Sequence, residues 1–290
     1  MAASGLPHPS PLRRSNPVAL YAANVPEGVK PDGYHDLILV GLQTESVAAA
    51  SGVAVANTTN ASLHIPRVTA DTTAKWASEG EDLEVANPVL DEITSTPKKV
   101  GGVIRVSREL AQDSSPAATK LVGDSLTRAI AVALDNAFFT NSGTQTKAPV
   151  GLPGVTGFTP ISGTATNLDS FTEAQVKALG NRTQVRAWYM AAATYLRFAG
   201  IKQATGSNVG LLETGFSING IPVYITENLP LNTVYGLDTA QALMVVRDRA
   251  KVEVSDQAFF ETDEVAVKVT MRVDFAFPQA KAVTKLTIAA

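Results

Sequence analysis

The sequence predicts an α+β protein in which short strands gather around one long helix. Three observations point there. Of 290 residues, 45% are hydrophobic and 18% charged, which suffices to fill a core, while aromatics are only 6%. With Ala, Val, Thr and Gly plentiful, that balance suits thin, sheet-rich layers better than one thick globule. Second, after Ser115-Pro116, the apolar residues Val122, Leu126, Ile130, Ala133 and Ala137 recur at three- and four-residue steps, the period of a helix face. Third, Val265–Phe275 alternates apolar and polar residues as a half-buried strand does.

The bulk numbers exclude several classes. The length allows one large or two modest domains. A net charge of −3 does not suit a protein that wraps nucleic acid through phosphate contacts. No cysteine is present, so disulfides, thiolate metal sites and cysteine nucleophiles are ruled out. No apolar run reaches the length of a membrane span. The start, MAASGLPHPSPLRRS, has two Arg but no apolar stretch behind them, unlike a signal peptide.

Residues 1–33 hold six prolines and read as an extended arm. Asp36 is a candidate cap for a helix over about 37–49, with Leu37, Val40 and Val47 on its apolar face. Gly52–Thr58 and Ala61–Val68 read as strands. Between Arg67 and Ser107 the chain makes a long two-way extended excursion, ending in a strand. Val100, Gly102, Ile104 and Val106 share one face of that strand, and Gly101, Val103, Arg105 and Ser107 the other. The Gly101-Gly102 pair predicts a bend or bulge.

Ser115 caps the long helix, Pro116 fits its first position and Asn141-Ser142-Gly143 ends it. Roughly 24 residues at 1.5 Å each give a length of about 36 Å. Lys147–Pro160 is rich in Gly and Pro and reads as a flexible linker at a domain boundary. Beyond it come a helix near Thr172–Ala178, a strand Val185–Met190 and a helix near Ala192–Gln203. SINGIPVYIT reads as a hairpin turning at Asn219-Gly220. Leu243–Arg247, Ala250–Val254, Val265–Phe275 and Val283–Ile288 complete the strands.

Catalytic patterns are absent from this order. His8, His35 and His64 are the only histidines, and neither a metalloprotease spacing nor a nucleophile elbow occurs. GLPGVTG is GxxGxxG, and Pro153 would spoil a phosphate-cradling turn. One ionisable cluster is dense. Glu79, Glu81, Asp82, Glu84, Asp91 and Glu92 follow Trp76, and no Lys or Arg occurs from Trp76 to Pro97. A glycosidase-like carboxylate pair or a Ca²⁺ site is conceivable there, but no calcium-loop pattern is present. The plainer reading is a charged edge that faces solvent or a partner.

A two-stranded hairpin is marginal alone in water, and this one has few apolar residues with which to bury a face. Its natural cover is a neighbouring copy of the same chain. On that reading Trp76 and the acids, with Lys98 and Lys99, form an intersubunit surface, and Arg128, Arg182, Arg186, Arg197 and Lys202 are its candidate basic partners.

The order of motifs resembles the major capsid protein family of tailed bacteriophages, with its Hong Kong 97-like fold. Trp76, Glu79 and Gly80 resemble the entry to that family's extended loop. Ser107-Arg108-Glu109-Leu110 with Asp113 resembles the segment before its spine helix. Phe138-Phe139, Asn141, Gly143, Pro149 and Gly151 resemble the exit from that helix. Trp188-Tyr189-Met190, Asn219-Gly220-Ile221-Pro222-Val223, Arg247, Phe259–Val265 and Met271-Arg272-Val273-Asp274 resemble later strands. The likeness covers about 35–288. Two departures stand out: Gly236-Leu237-Asp238-Thr239 replaces a Gly-Asp-Phe-Ser-like segment, and only about 33 residues precede the first helix.

The resemblance implies an arm and short helix (1–60), an extended loop (61–107), a peripheral domain with the spine helix (108–150 and 251–290) and an axial domain (151–250). It implies a non-enzymatic shell subunit that assembles through hexamers and pentamers around double-stranded DNA. It further implies a virion location, assembly in the bacterial cytoplasm, a separate scaffolding protein, a portal and a decoration protein, with no cofactor. The covalent cross-linking of some relatives does not carry over, because no motif pairs an acceptor Asn with Lys75, Lys98 or Lys99. An encapsulin-like nanocompartment and a carboxylate-using hydrolase are the alternatives.

Overall fold

A computed structural model of the chain describes residues 45–70, 74, 76, 87–107, 116–204, 206–212 and 215–289. The proposed cap at Asp36, the helix turns before Glu45, the cap at Ser115 and the loop acids Glu79, Glu81, Asp82 and Glu84 lie outside these residues.

The long helix is α2, Pro116–Thr140, preceded in the chain by a one-turn helix α1, Val47–Ala50. The strands before α2 are β1 (Ala54–Asn57), β2 (Leu63–Ala70), β3 (Val89–Ser95) and β4 (Lys98–Ser107). After it come β5 (Thr159–Thr164), α3 (Asp169–Gly180), β6 (Ala187–Met190), α4 (Ala192–Ala199), β7 (Ser217–Ile218), β8 (Ile221–Ile225) and β9 (Thr233–Leu237). The chain closes with β10 (Leu243–Phe259), β11 (Glu264–Ala276) and β12 (Val283–Ala289).

These strands form three sheets. A four-stranded sheet runs β1-β10-β11-β4, a six-stranded sheet runs β5-β12-β9-β6-β8-β7, and β2-β3 stand as a separate pair. The face of β4 carrying Val100, Gly102 and Ile104 turns toward α2, as the alternation predicts. The bend expected at Gly101-Gly102 does not occur, for β4 pairs with β11 in unbroken register from Lys98 to Ser107. The glycines are there for space. A Cβ at Gly101 would lie 2.6 Å from the Val269 carbonyl oxygen, and one at Gly102 3.3 Å from Leu126 of α2.

The buried arc of α2 runs through Leu126, Ile130, Leu134, Ala137 and Phe138. Ala133, expected on it, is exposed. The arc is centred one position later, on Leu134, so the larger side chains take the core. Phe138 packs edge-to-face against Phe275 at 4.9 Å and Phe139 at 5.0 Å, and Phe139 meets Tyr189 at 5.3 Å. Tyr189 belongs to the six-stranded sheet, as do Tyr235, Leu237 and Val283, which enter the same core. One apolar cluster therefore joins both sheets. A second, around Trp188, Phe171 and Phe198, fills the far side of the six-stranded sheet.

The segment read as a flexible linker is instead fixed. Asn141, buried at the helix exit, donates from Nδ2 to the carbonyls of Gln145, Ala148 and Pro149, and its Oδ1 accepts from Gly143 and Gln145 N–H. Gly151 N–H donates to the Asn141 carbonyl at 2.8 Å, and a Cβ on Gly151 would fall 2.2 Å from the Phe138 oxygen. Leu152 is fully buried. Glycine here marks close packing against a helix end, not freedom to swing.

Other elements differ in extent. The turn at Asn219-Gly220 has φ of 53° and 73°, as the predicted hairpin needs. The two strands expected over 243–254 are one long strand, β10, with register breaks between Val246 and Lys251. Strands β5 and β9 were not predicted. Strand β12, expected with the peripheral part, pairs instead with β5 and β9 in the six-stranded sheet. Asp238 is buried, accepting from the Gln184 and Ala240 N–H groups and from Arg186.

Candidate functional site

The candidate site is the β2–β3 hairpin with the surfaces near it. Its strands pair antiparallel from Leu63↔Ser95 to Ala70↔Val89, and no third strand joins them among the described residues. Val68, Val89 and Leu90 are exposed, and the Trp76 ring is fully so. No layer of the same chain covers these groups among the described residues. A two-stranded sheet that buries neither face has little to hold it in water.

Local polar contacts set the hairpin's shape. Arg67 donates to Asp91 from Nε at 3.0 Å and from Nη2 at 2.6 Å, and from Nη1 to the Pro278 carbonyl at 3.4 Å. The hydrogen bonding from Arg67, with a further bond from the Glu92 N–H, holds the Asp91 carboxyl below its usual range. Glu92 lies 3.2 Å from His64. Such exposed pairs contribute roughly 0–1 kcal/mol each. They orient the ribbon more than they stabilise it.

At its base the hairpin enters the body. Ser95 and Asp274 are buried there, with Ser95 Oγ–H donating to Asp274 at 2.7 Å and the Thr96 N–H at 2.8 Å. Lys98 donates to the Thr146 and Ala148 carbonyls, both at 2.8 Å, beyond the C-terminal end of α2. A cation is favoured there by the helix dipole and the carbonyl cluster. Toward the other end of the pair, Arg67, Val68 and Thr69 line an open cleft of about 370 Å³ together with Gly157 and 279–281.

Several residues expected to meet a neighbour are already engaged within the chain. Asp91 and Glu92 pair with Arg67 and His64, and Lys98 serves the helix exit. Arg186 pairs with Asp238 at 3.0 Å. Arg197 donates to Asn232 Oδ1 and to the Ala289 carbonyl. Lys202 reaches the Asn208 carbonyl at 3.4 Å. Arg182 adopts φ 59° in the turn after α3. Lys99 and Arg128 are exposed, on β4 and α2. Fixed intramolecular acceptors, which no linear spacing reveals, claim most of these cations.

Sequence reasoning missed the root itself. Ser95 and Asp274 are 179 residues apart, and no local pattern in the alternating strand β11 singles out its aspartate. Among the described residues, no three His, Asp or Glu side chains gather as a metal site, and no helix is long and apolar enough to cross a membrane.

A projecting ribbon on a body of two sheets and a spine helix is an architecture with known counterparts. The profile of the phage capsid family matches residues 31–288. The chain belongs to the phage capsid family. The major capsid protein of Klebsiella oxytoca phage phiKO2 is 22% identical over 262 residues, covering 83% of this chain and 61% of that protein. The capsid polyprotein of Pseudomonas phage PAJU2 is 27% identical over 207 residues, covering 69% of this chain and 29% of the relative. The chain thus spans less than two thirds of either curated relative. Among solved structures, the capsid of an empty GTA particle superposes with a TM-score of 0.72 at 22% identity, covering 84% of this chain and 91% of that one. A structure from Mycobacterium phage Adephagia gives 0.69 at 17% identity, covering 84% and 90%. At these identities the superpositions establish the fold, and it is the mixed helix-and-sheet, Hong Kong 97-like fold expected above.

Proposed function

We propose that this chain is the major capsid subunit of a tailed bacteriophage, assembling through hexamers and pentamers into an icosahedral shell around double-stranded DNA. The observation that carries the reading is the β2–β3 ribbon, which displays Trp76, Val89 and Leu90 with no layer over them among the described residues. A neighbouring copy supplies the missing layer, and each ribbon in turn covers the next subunit. Many small contacts of this kind sum around a closed shell, because a symmetric assembly repeats one interface at every position. The loop acids 79–84 act in register and partner choice, where charge contributes more than it does to affinity.

On this reading the body comprises a peripheral part, built on the four-stranded sheet and α2, and an axial part built on the six-stranded sheet. The shell is assembled in the bacterial cytoplasm with a separate scaffolding protein and a portal, and a decoration protein binds its outside. The work done is assembly rather than catalysis.

Size-exclusion chromatography with negative-stain microscopy of the expressed chain, alone and with its scaffolding protein, tests this. Closed shells of uniform size are the expected result. A persistent monomer under both conditions would refute the reading, and shells packed with a protein cargo would favour a nanocompartment.

A further inference from the structure

The root of the hairpin is held by a buried carboxylate with three donors. Asp274 Oδ2 accepts from Ser95 Oγ–H at 2.7 Å and Thr96 N–H at 2.8 Å, while Oδ1 accepts from the N–H of Phe275 at 2.9 Å. Both Ser95 and Asp274 are buried, at 2% and 8% exposure. They join the last residue of β3 to the inner edge of β11, where the chain crosses from the free ribbon into the four-stranded sheet. Hydrogen bonds to a charged acceptor are stronger and more directional than neutral ones.

The same chemistry recurs at the other end of the described chain. Asp135 of α2 accepts from Ser46 Oγ–H at 2.7 Å, Val47 N–H at 2.9 Å and Ala48 N–H at 3.0 Å. A carboxylate on the body thus holds a serine hydroxyl and the adjoining backbone at both Ser46 and Ser95.

We propose that Asp274 is a positioning residue that fixes the direction in which the hairpin leaves the body. This deepens the shell reading, which it rests on for its purpose but not for its test. The ribbon acts as a lever. Strand β3 has seven residues, so at about 3.3 Å each a tilt of roughly 10° at Ser95 displaces its far end by about 3.5 Å. Packed surfaces forfeit a quarter to a half of each contact's attraction over a gap of about 0.5–1 Å. A root free to rock by a few degrees could not seat its ribbon on a neighbour in one register. The exposed pairs of the ribbon do little against this rocking, for His64–Glu92 lies within the hairpin and, among the described residues, the Arg67–Pro278 bond that crosses to the body is long, at 3.4 Å.

Asp274→Asn separates positioning from mere stability. An amide offers one acceptor atom, so an N–H of the amide must oppose either the Thr96 or the Phe275 N–H. The chain has no cysteine, so Leu90→Cys on β3 and Val132→Cys on the exposed side of α2 give a unique spin-labelled pair for pulsed electron–electron distance measurement. In the parent protein the distance distribution should be narrow. In Asp274→Asn it should broaden about twofold, a tilt of roughly 10° at the root becoming about 3 Å at the label. Should Asp274→Asn fail to fold, Ser95→Ala decides: it should broaden the distribution, and Ser95→Thr, which keeps the hydroxyl, should restore it. An unchanged width in the folded Asp274→Asn or in Ser95→Ala, or no restoration by Ser95→Thr, would overturn the proposal. The measurement does not require assembly. A clamp that loosens on mutation in a chain that never forms shells would stand while the shell reading fell.

Discussion

The helix exit and the hairpin are both built from loops that the sequence shows as polar and poor in regular structure, yet the fold treats them in opposite ways. Around Asn141–Val155 the chain folds back onto α2, buries Leu152 and satisfies its carbonyls with one asparagine side chain. Around β2–β3 it extends away from the body and leaves Trp76, Val89 and Leu90 exposed. Gly and Pro content does not separate the two. The difference lies in whether the same chain supplies a surface to close on: the exit has Phe138 and Phe139 beneath it, and among the described residues no layer covers the ribbon's Val89 and Leu90. Stability is accordingly concentrated in the first region, and interaction capacity in the second.

The sharpest break in that comparison should come at Gly151. An alanine there would place its Cβ 2.2 Å from the Phe138 oxygen and 2.3 Å from that of Ala137. Gly151→Ala should destabilise the subunit by about 4 kcal/mol or more, the range of severe steric conflicts, as measured by urea unfolding. Phe138→Ala should follow, costing about 3–5 kcal/mol through the cavity left between Phe139 and Phe275. Asn141→Ala orphans three carbonyls and two N–H groups at the helix exit; a loss of about 2 kcal/mol is expected, partly relieved by water. Equal stability of this variant and the parent would show that the exit is less fixed than its hydrogen bonds imply.

The smallest effect is an electrostatic one on the open face of the four-stranded sheet. Glu253 accepts from Lys251 at 2.8 Å and from Lys268, and these bonds lower its pKa from 4.5 to about 2. A lowered pKa in the folded state contributes stability that is present above the unfolded value and is lost as the pH falls through the folded one. The parent should therefore be slightly more stable than Glu253→Gln at pH 7, and the gap should close between pH 4.5 and about 2. Because the group is exposed, added salt should shrink the gap as well. A gap that widened toward low pH would mean the charges are paired differently.

What the sequence made legible follows the same division. The long helix, the alternating faces of β4 and the Asn219-Gly220 turn were readable because local periodicity and turn chemistry decide them. The exposure of Val68, Val89 and Leu90 fits the excursion's shortage of apolar residues, whereas its end, Lys98–Ser107, is covered as part of the four-stranded sheet. Strands β5 and β9 were not, since both owe their place to the neighbouring β12, and Gly236 within β9 reads as a loop signal. Its glycine instead makes room for the Trp188 ring, which a Cβ would approach to 2.4 Å. Nor could spacing reveal that Lys98, Arg186 and Arg197 are held within the chain, because their acceptors lie far away in sequence or on backbone carbonyls. The structure also moves the limit of the separable ribbon. Residues 98–100 are hydrogen-bonded to Met271–Val273 in the central sheet, so a deletion reaching them would damage the body.

That limit defines the most direct test. Replacing Val68–Leu90 with Asn-Gly joins Arg67 to Asp91, which already face each other across the ribbon, through a two-residue hairpin turn. Thermal unfolding and electron microscopy of this variant would be compared with the parent. The account predicts a body whose midpoint shifts by no more than about 2 °C, since Val68, Trp76, Val89 and Leu90 are exposed, and a complete loss of closed particles. Normal shells from the shortened chain, or a body that cannot fold without its ribbon, would contradict it.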